Sequence, residues 1–170
     1  MAINVVSQTN TIAVNQTVSI TSADYYGSPY DGDLYFARLL GHVEWKTATL
    51  EDKYAAIYQA SQLINSFNFI GWVTDPTQIL EFPRGGDLIV PVDIKYAVYD
   101  EAYQLLCGRD AEDELNELRI HFHKFGTVQT QYMPGVKPPP TVTAGMLSSK
   151  AWRRIQPYLL RADEIKLVRV

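Results

Sequence analysis

The side chains best able to do chemistry in this sequence are few and widely spaced. His121-Phe122-His123 would set two imidazoles on one face of a strand, the arrangement from which a metal site starts. No Cys, Asp or Glu stands at a recognisable ligand spacing to complete it, so the pair reads as structural or exposed and no metal is expected. Asp24, Asp31 and Asp33 lack the alternation and closing glutamate of a calcium loop, which leaves them capping and turn roles. Arg84-Gly85-Gly86 puts a cation in a glycine-rich turn, a feature that can cradle phosphate. It fits neither the P-loop nor the dinucleotide pattern and does not lead directly into a helix. Arg84 is therefore read as reaching backbone carbonyls or a neighbour's carboxylate. Cys107, the one cysteine, follows Leu105 and Leu106 at the end of an apolar helix and reads as buried filler rather than nucleophile. With no Ser-His-Asp arrangement and no credible carboxylate pair, the sequence predicts no enzyme and no cofactor.

Tyr96, Tyr99 and Tyr103 can stack on single-stranded bases, but a stripe at helical spacing is more often packing. The net charge of −4 weighs against a nucleic-acid partner, since phosphate neutralisation supplies most of such affinity. Basic residues are scattered, apart from Arg153-Arg154 and the far C-terminal stretch. One cysteine allows no intrachain disulfide and suits a reducing compartment. The opening Met-Ala-Ile-Asn-Val-Val lacks a basic region followed by an apolar run, and no segment approaches the roughly 20 apolar residues that cross a bilayer. The expectation is a soluble protein, made in the cytoplasm, with no membrane partner.

These side chains must be positioned by helices. Residues 3–21 are rich in Val, Ile, Thr and Asn and alternate as half-buried strands do, which predicts a β-rich N-terminal arm over 1–24. Tyr25 to Tyr30 reads as a linker. A first helix is predicted from Asp33 to Leu40, with Asp31 as N-cap and Gly41 as its stop. A second begins after Thr49, with Asp52 at the capping-box position, and runs through Ile64. Residues 72–91 hold three prolines and two glycines and are predicted to be irregular. Pro91 suits the entrance of a third helix that ends near Leu106, with Gly108 as its stop. On that helix Ile94, Ala97, Val98, Ala102 and Leu105 share one face, and Tyr96, Tyr99 and Tyr103 the opposite one. A helix apolar on both sides must be covered on both, so the tyrosine face is expected to meet the arm or a neighbouring subunit. Asp110 to Phe122 reads as a polar helix, Val128 to Tyr132 as a strand, and Pro138-Pro139-Pro140 as an extended tether. A last helix spans Ser148 to Leu160, interrupted by Pro157. The tail Ile165-Lys166-Leu167-Val168-Arg169-Val170 alternates apolar and basic residues, as a docking segment would.

Several motifs in order resemble a known family. Tyr35-Phe36, Trp45 and Lys53 to Ala60 look like the opening helices of tailed-bacteriophage head-to-tail adaptor (connector) proteins. The run from Gln78 to Pro83-Arg84 is similar to that family's Gln-x-Leu-x-Trp-Pro-Arg signature, with Phe82 in place of tryptophan. Pro91, Ile94, Ala97 and Asp100 fit its next helix, and Trp152 with Pro157-Tyr158-Leu159 its closing one. The resemblance covers about residues 31–160, and members of this sequence group are sometimes labelled after a primosomal single-strand-DNA-binding protein. It implies a mainly α fold, a small helical adaptor bundle with short accessory strands, placed here over 25–160; the β-rich arm over 1–24 has no counterpart in the family, and residues 161–170 are the expected docking tail. It also implies a structural role in the virion neck. Subunits would form a twelve-membered ring under the portal protein, with tail or nozzle proteins below. Double-stranded DNA would pass through without specific binding, and the tail would dock on the portal. The alternative from another class is a single-strand DNA-binding replication or primosome factor.

Overall fold

Thr49 caps the longest helix of the described residues. In the computed structural model, which describes residues 24–119, 122–125, 128–131 and 139–160, its hydroxyl accepts the N–H of Asp52 at 3.1 Å and lies 2.7 Å from the Asp52 carboxylate. That cap opens α3 (Leu50–Asn65), preceded by α1 (Pro29–Phe36) and α2 (Val43–Thr47). The buried stripe of α3, Ala56, Ile57, Ala60, Ser61 and Ile64, packs on α4 (Val92–Leu106). Next come α5 (Ala111–Arg119) and the antiparallel pair β1 (Phe122–Phe125) and β2 (Val128–Gln131), in register Phe122 to Gln131. The last described elements are α6 (Pro140–Thr143), α7 (Ser149–Ile155) and a 3-10 turn at Gln156–Tyr158. The fold is mainly α. Residues 1–23 of the predicted arm, Pro138 of the predicted tether, the predicted docking tail from Arg161 to Val170, and His121 lie outside the described residues.

α4 is the hub, in contact with α1, α2, α3 and α7. Ile94, Ala97, Val98 and Ala102 are fully buried, as the periodicity requires. The tyrosine face is covered too, but by this chain's own α1 and α2. Tyr99 is 1% exposed, accepts the Ser28 N–H at 3.1 Å, and has the rings of Tyr35 and Trp45 around it. Tyr103 is half-buried, with its ring against Phe36 and His42 and its hydroxyl donating to Glu44. The face expected to meet an arm or a neighbouring subunit is therefore largely spent inside the monomer. Periodicity identified residues that share a side; it carried no information about which element would cover them.

Other expectations shift in ways local chemistry explains. Ser28, not Asp31, caps α1, accepting the Asp31 N–H at 3.1 Å, and Pro29 takes the first helical position. The Gly-Ser-Pro sequence read as a linker is a helix start. α2 was not predicted; it is only five residues long and follows His42 in the left-handed region, without a side-chain cap. Pro140 opens the short α6 instead of extending a tether, and α5 stops at Arg119 before β1. Cys107 is exposed, not buried filler.

The irregular stretch between α3 and α4 is fastened from within. Arg84 donates to the carbonyls of Phe69 and Ile70 at 3.1 Å each and of Gly71 at 2.6 Å, and pairs with Glu81. Gln78 donates to the carbonyls of Leu80 and Pro83. The Tyr26 hydroxyl accepts the Phe82 N–H at 3.1 Å and donates to Asn65 at 3.0 Å. A loop whose backbone groups are satisfied in this way acts as a wall rather than a flap.

Candidate functional site

A cleft of about 240 Å³ lies between α1 and α4. Tyr35 and Leu34 from α1 line it, with Arg38 just beyond that helix and Val92, Lys95 and Tyr96 from α4. The rings of Tyr35 and Tyr96 stack with centroids 4.5 Å apart and planes 27° from parallel. Both are half-buried. Both line the cleft, and the Arg154 guanidinium lies over the two rings, 5.9 Å from the Tyr35 centroid and 5.2 Å from that of Tyr96.

Arg154 belongs to a network between α1, α4 and α7. Asp100, 3% exposed, accepts the Tyr35 hydroxyl at 3.0 Å and Arg154 Nε at 3.2 Å. Arg154 also donates to Tyr35 at 3.2 Å, pairs with Asp93 at 3.3 Å, and lies 5.2 Å from the Tyr96 ring centroid. Burial and then the Asp100 carboxylate push the Tyr35 hydroxyl up to about 12, so it remains a proton donor at neutral pH.

The described cations divide into paired and unpaired ones, and Lys46, Lys150 and Arg153 are unpaired as well as the two in the cleft. Lys53, Arg84, Arg109 and Arg154 are each paired with a carboxylate. Among the described residues Arg38 and Lys95 make no ion pair, and they share this cleft with the two stacked tyrosines. Asp31 is the carboxylate on its rim. Stacking rings beside uncommitted cations are the parts from which a single-stranded nucleic-acid site is built: rings take bases and cations take phosphates. Another cleft at the other end of α4, about 470 Å³, is rimmed by Glu44 and Asp52 over Leu105 and Leu106, the wrong sign for a phosphate.

The residues singled out from the sequence divide between scaffold and site. Trp45 is buried and donates its indole N–H to Asp33 at 2.8 Å, while Lys53 reaches the same oxygen. Gln78, Pro83 and Arg84 belong to the fastened loop, and Pro91 precedes the first residue of α4. Asp100 anchors Tyr35 and Arg154, and Trp152 packs edge-on against Phe67. Of the tyrosine stripe, Tyr96 lines the cleft most openly, Tyr99 lies behind it and Tyr103 is elsewhere. Arg38, Lys95 and Tyr35 were missed as a site. The available signal was slight: Arg38 stands three positions after Tyr35 and Lys95 stands next to Tyr96, but Lys53-Tyr54 is the same kind of pair and lies outside this cleft. Ile165, Lys166, Leu167, Val168, Arg169 and Val170 lie outside the described residues. Among the described residues no group of His, Cys, Asp and Glu could hold a metal ion, and no helix is long and apolar enough to cross a membrane.

No curated protein and no solved structure matches the chain. A family model does match, over residues 10–166, a span that contains every residue on which the adaptor resemblance rested. The match overturns that resemblance. The structural adaptor function falls with it, as do the portal and tail partners, the twelve-subunit ring and the passage of unbound duplex DNA. The motif residues explain the error in physical terms: Arg84, Asp100, Trp45 and Trp152 hold the fold together, and a fold does not name its partner. The chain belongs to the family described as "Putative DnaT-like ssDNA binding protein".

Proposed function

We propose that this protein binds single-stranded DNA in the α1–α4 cleft, as a DnaT-like replication or primosome factor and not as an enzyme. The family supplies the ligand class. The observation that carries the placement is the convergence of Arg38 and Lys95 on the stacked Tyr35–Tyr96 pair. An unpaired strand offers its bases to the tyrosine rings while its phosphates meet the two cations; a duplex keeps its bases stacked on one another and leaves the rings unused. The acidic whole-chain charge fits this division of labour. Two local cations supply modest electrostatic attraction, and stacking, worth about 1–3 kcal/mol per base, supplies much of the rest.

The test is fluorescence anisotropy of a labelled oligothymidylate against wild-type protein, Arg38→Glu and Lys95→Glu. Arg38 is exposed and Lys95 half-buried, and neither holds a partner that folding needs among the described residues. Each reversal should weaken binding about tenfold or more, and a duplex of matching length should bind less tightly than the single strand. Affinity unchanged in both variants would remove the site from this cleft.

A further inference from the structure

A second cleft, of about 480 Å³, opens beside the first and shares Asp31 and Lys95 with it. It lies between the Tyr25 to Gly27 segment and the fastened loop, with Ile79, Leu80, Phe82 and Val90 as apolar lining. Leu80 and Phe82 are buried, so they form a fixed floor, whereas Ile79 is 67% exposed. The floor cannot easily collapse. Phe82 is pinned through its N–H by the Tyr26 hydroxyl, and its ring packs edge-on against Phe69 and Tyr158. The preceding N–H, that of Glu81, donates to Asn65 at 2.6 Å.

A rigid apolar recess next to an uncommitted ammonium suits one kind of ligand unit: a flat apolar-faced ring attached to a phosphate. We propose that one DNA strand runs through both clefts, past Lys95. The ammonium neutralises a phosphate at the junction, one base lies against Tyr35–Tyr96, and another enters the recess over Phe82 beside Ile79. The inference rests on the single-strand reading above and extends it. It makes the binding unit a strand on the order of four nucleotides, the low end for a single-strand groove. It also makes Ile79, an exposed apolar side chain on a loop, a contact for DNA. Asp31 at the junction opposes the phosphate and keeps the attraction weak enough for the strand to exchange.

The experiment is an NMR titration of the full chain with oligothymidylates of about two and about eight nucleotides, wild type against Ile79→Asp. The wild type should bind the longer strand more than about tenfold more tightly than the shorter one. Backbone resonances of 25–27 and 77–83 should shift with the longer strand and not with the shorter. Ile79→Asp should lower affinity for the longer strand about tenfold and leave the shorter unchanged, with the rest of its spectrum retained because the residue is exposed. If the longer strand shifts only the α1–α4 cleft, or Ile79→Asp binds it as well as wild type, the continuous groove is wrong while the first site stands. If neither oligonucleotide binds, the single-strand reading itself fails and the groove goes with it.

Discussion

Asp100 on α4 accepts Nε–H of Arg154 on α7 at 3.2 Å, joining positions 54 apart in sequence. The carboxylate is 3% exposed, whereas the guanidinium side chain is 32% exposed. The pair thus spans the boundary between core and surface. On its inner side it locks α4 to α7. On its outer side it braces the two tyrosines that line the cleft, through the hydroxyl of Tyr35 and the ring of Tyr96. Scaffold and site are the same network seen from two directions.

Arg154→Ala should therefore lower stability and loosen the tyrosine pair together. Asp100 would keep one donor, the Tyr35 hydroxyl, so the cost is that of losing a charged hydrogen bond, about 1.5–3 kcal/mol. Urea denaturation would show a lower midpoint with an unchanged slope. A midpoint equal to wild type would mean that the pair contributes nothing, as many half-exposed pairs do.

Glu101, the next residue on α4, is fully buried and accepts the N–H groups of Leu147 and Ser148 at 2.9 Å each, holding the entrance of α7. Burial raises its carboxyl above the ordinary value, and the two N–H bonds and Arg109 offset this only in part, with Glu114 adding to the rise. The folded state then holds this proton to higher pH than the unfolded chain does. Across that window the folded state binds more protons, so this group's contribution to stability falls as pH rises through the raised value. Glu101→Gln has no such titration. The stability of wild type minus that of Glu101→Gln should decrease on going from acid toward neutral pH, measured by urea unfolding at several pH values. Glu101→Ala should be worse at every pH, since each orphaned N–H costs about 1–3 kcal/mol.

Gly32 offers a test in which two rules disagree. It sits inside α1, where replacing glycine by alanine ordinarily gains up to about 1 kcal/mol. Here an added Cβ would lie 2.5 Å from Cζ2 of the buried Trp45 ring. The indole cannot retreat without leaving its bond to Asp33, so packing should win. Gly32→Ala is expected to destabilise by about 1–3 kcal/mol, the usual cost of overpacking. A thermal midpoint above wild type would show that the ring has room to move.

What was legible in the sequence follows the reach of each signal. α3 and α4 were readable because Thr49 and Asp52, or Pro91 and Gly108, bound a run of periodic apolar residues within a few positions. Arg84 was also readable: a lone cation among glycines and prolines has carbonyls as its nearest partners, and the structure supplies three besides that of Glu81. α2 was not readable, because five residues carry too little periodicity and Trp45 is held by Asp33, twelve positions away. The cleft was hidden for the same reason at longer range. Arg38 and Lys95 become neighbours only when α1 folds onto α4, and neither residue type is unusual where it stands. The motifs behind the adaptor resemblance were real features of the chain, but they specify packing, so they were silent on the ligand.

The salt dependence of DNA binding should separate the two kinds of contact proposed for the cleft. Each phosphate neutralised on a single strand contributes about −0.7 to the slope of log affinity against log salt. Arg38 and Lys95 together then predict a slope near about −1.4, shallow compared with a protein that grips many phosphates. Lys95→Gln should make the slope shallower by about 0.7, because it removes one released counterion. Tyr96→Leu should do something different. It keeps apolar bulk beside Tyr35 but removes a ring, so affinity should fall by about 1–3 kcal/mol at every salt concentration with the slope unchanged. The measurement is an anisotropy titration of an oligothymidylate repeated from low to physiological salt for all three proteins. A wild-type slope several times steeper would place additional cations on the strand and shift attention to Lys150 and Arg153 on α7. A Tyr96→Leu protein with wild-type affinity would mean that the tyrosine pair braces the cleft without touching the bases.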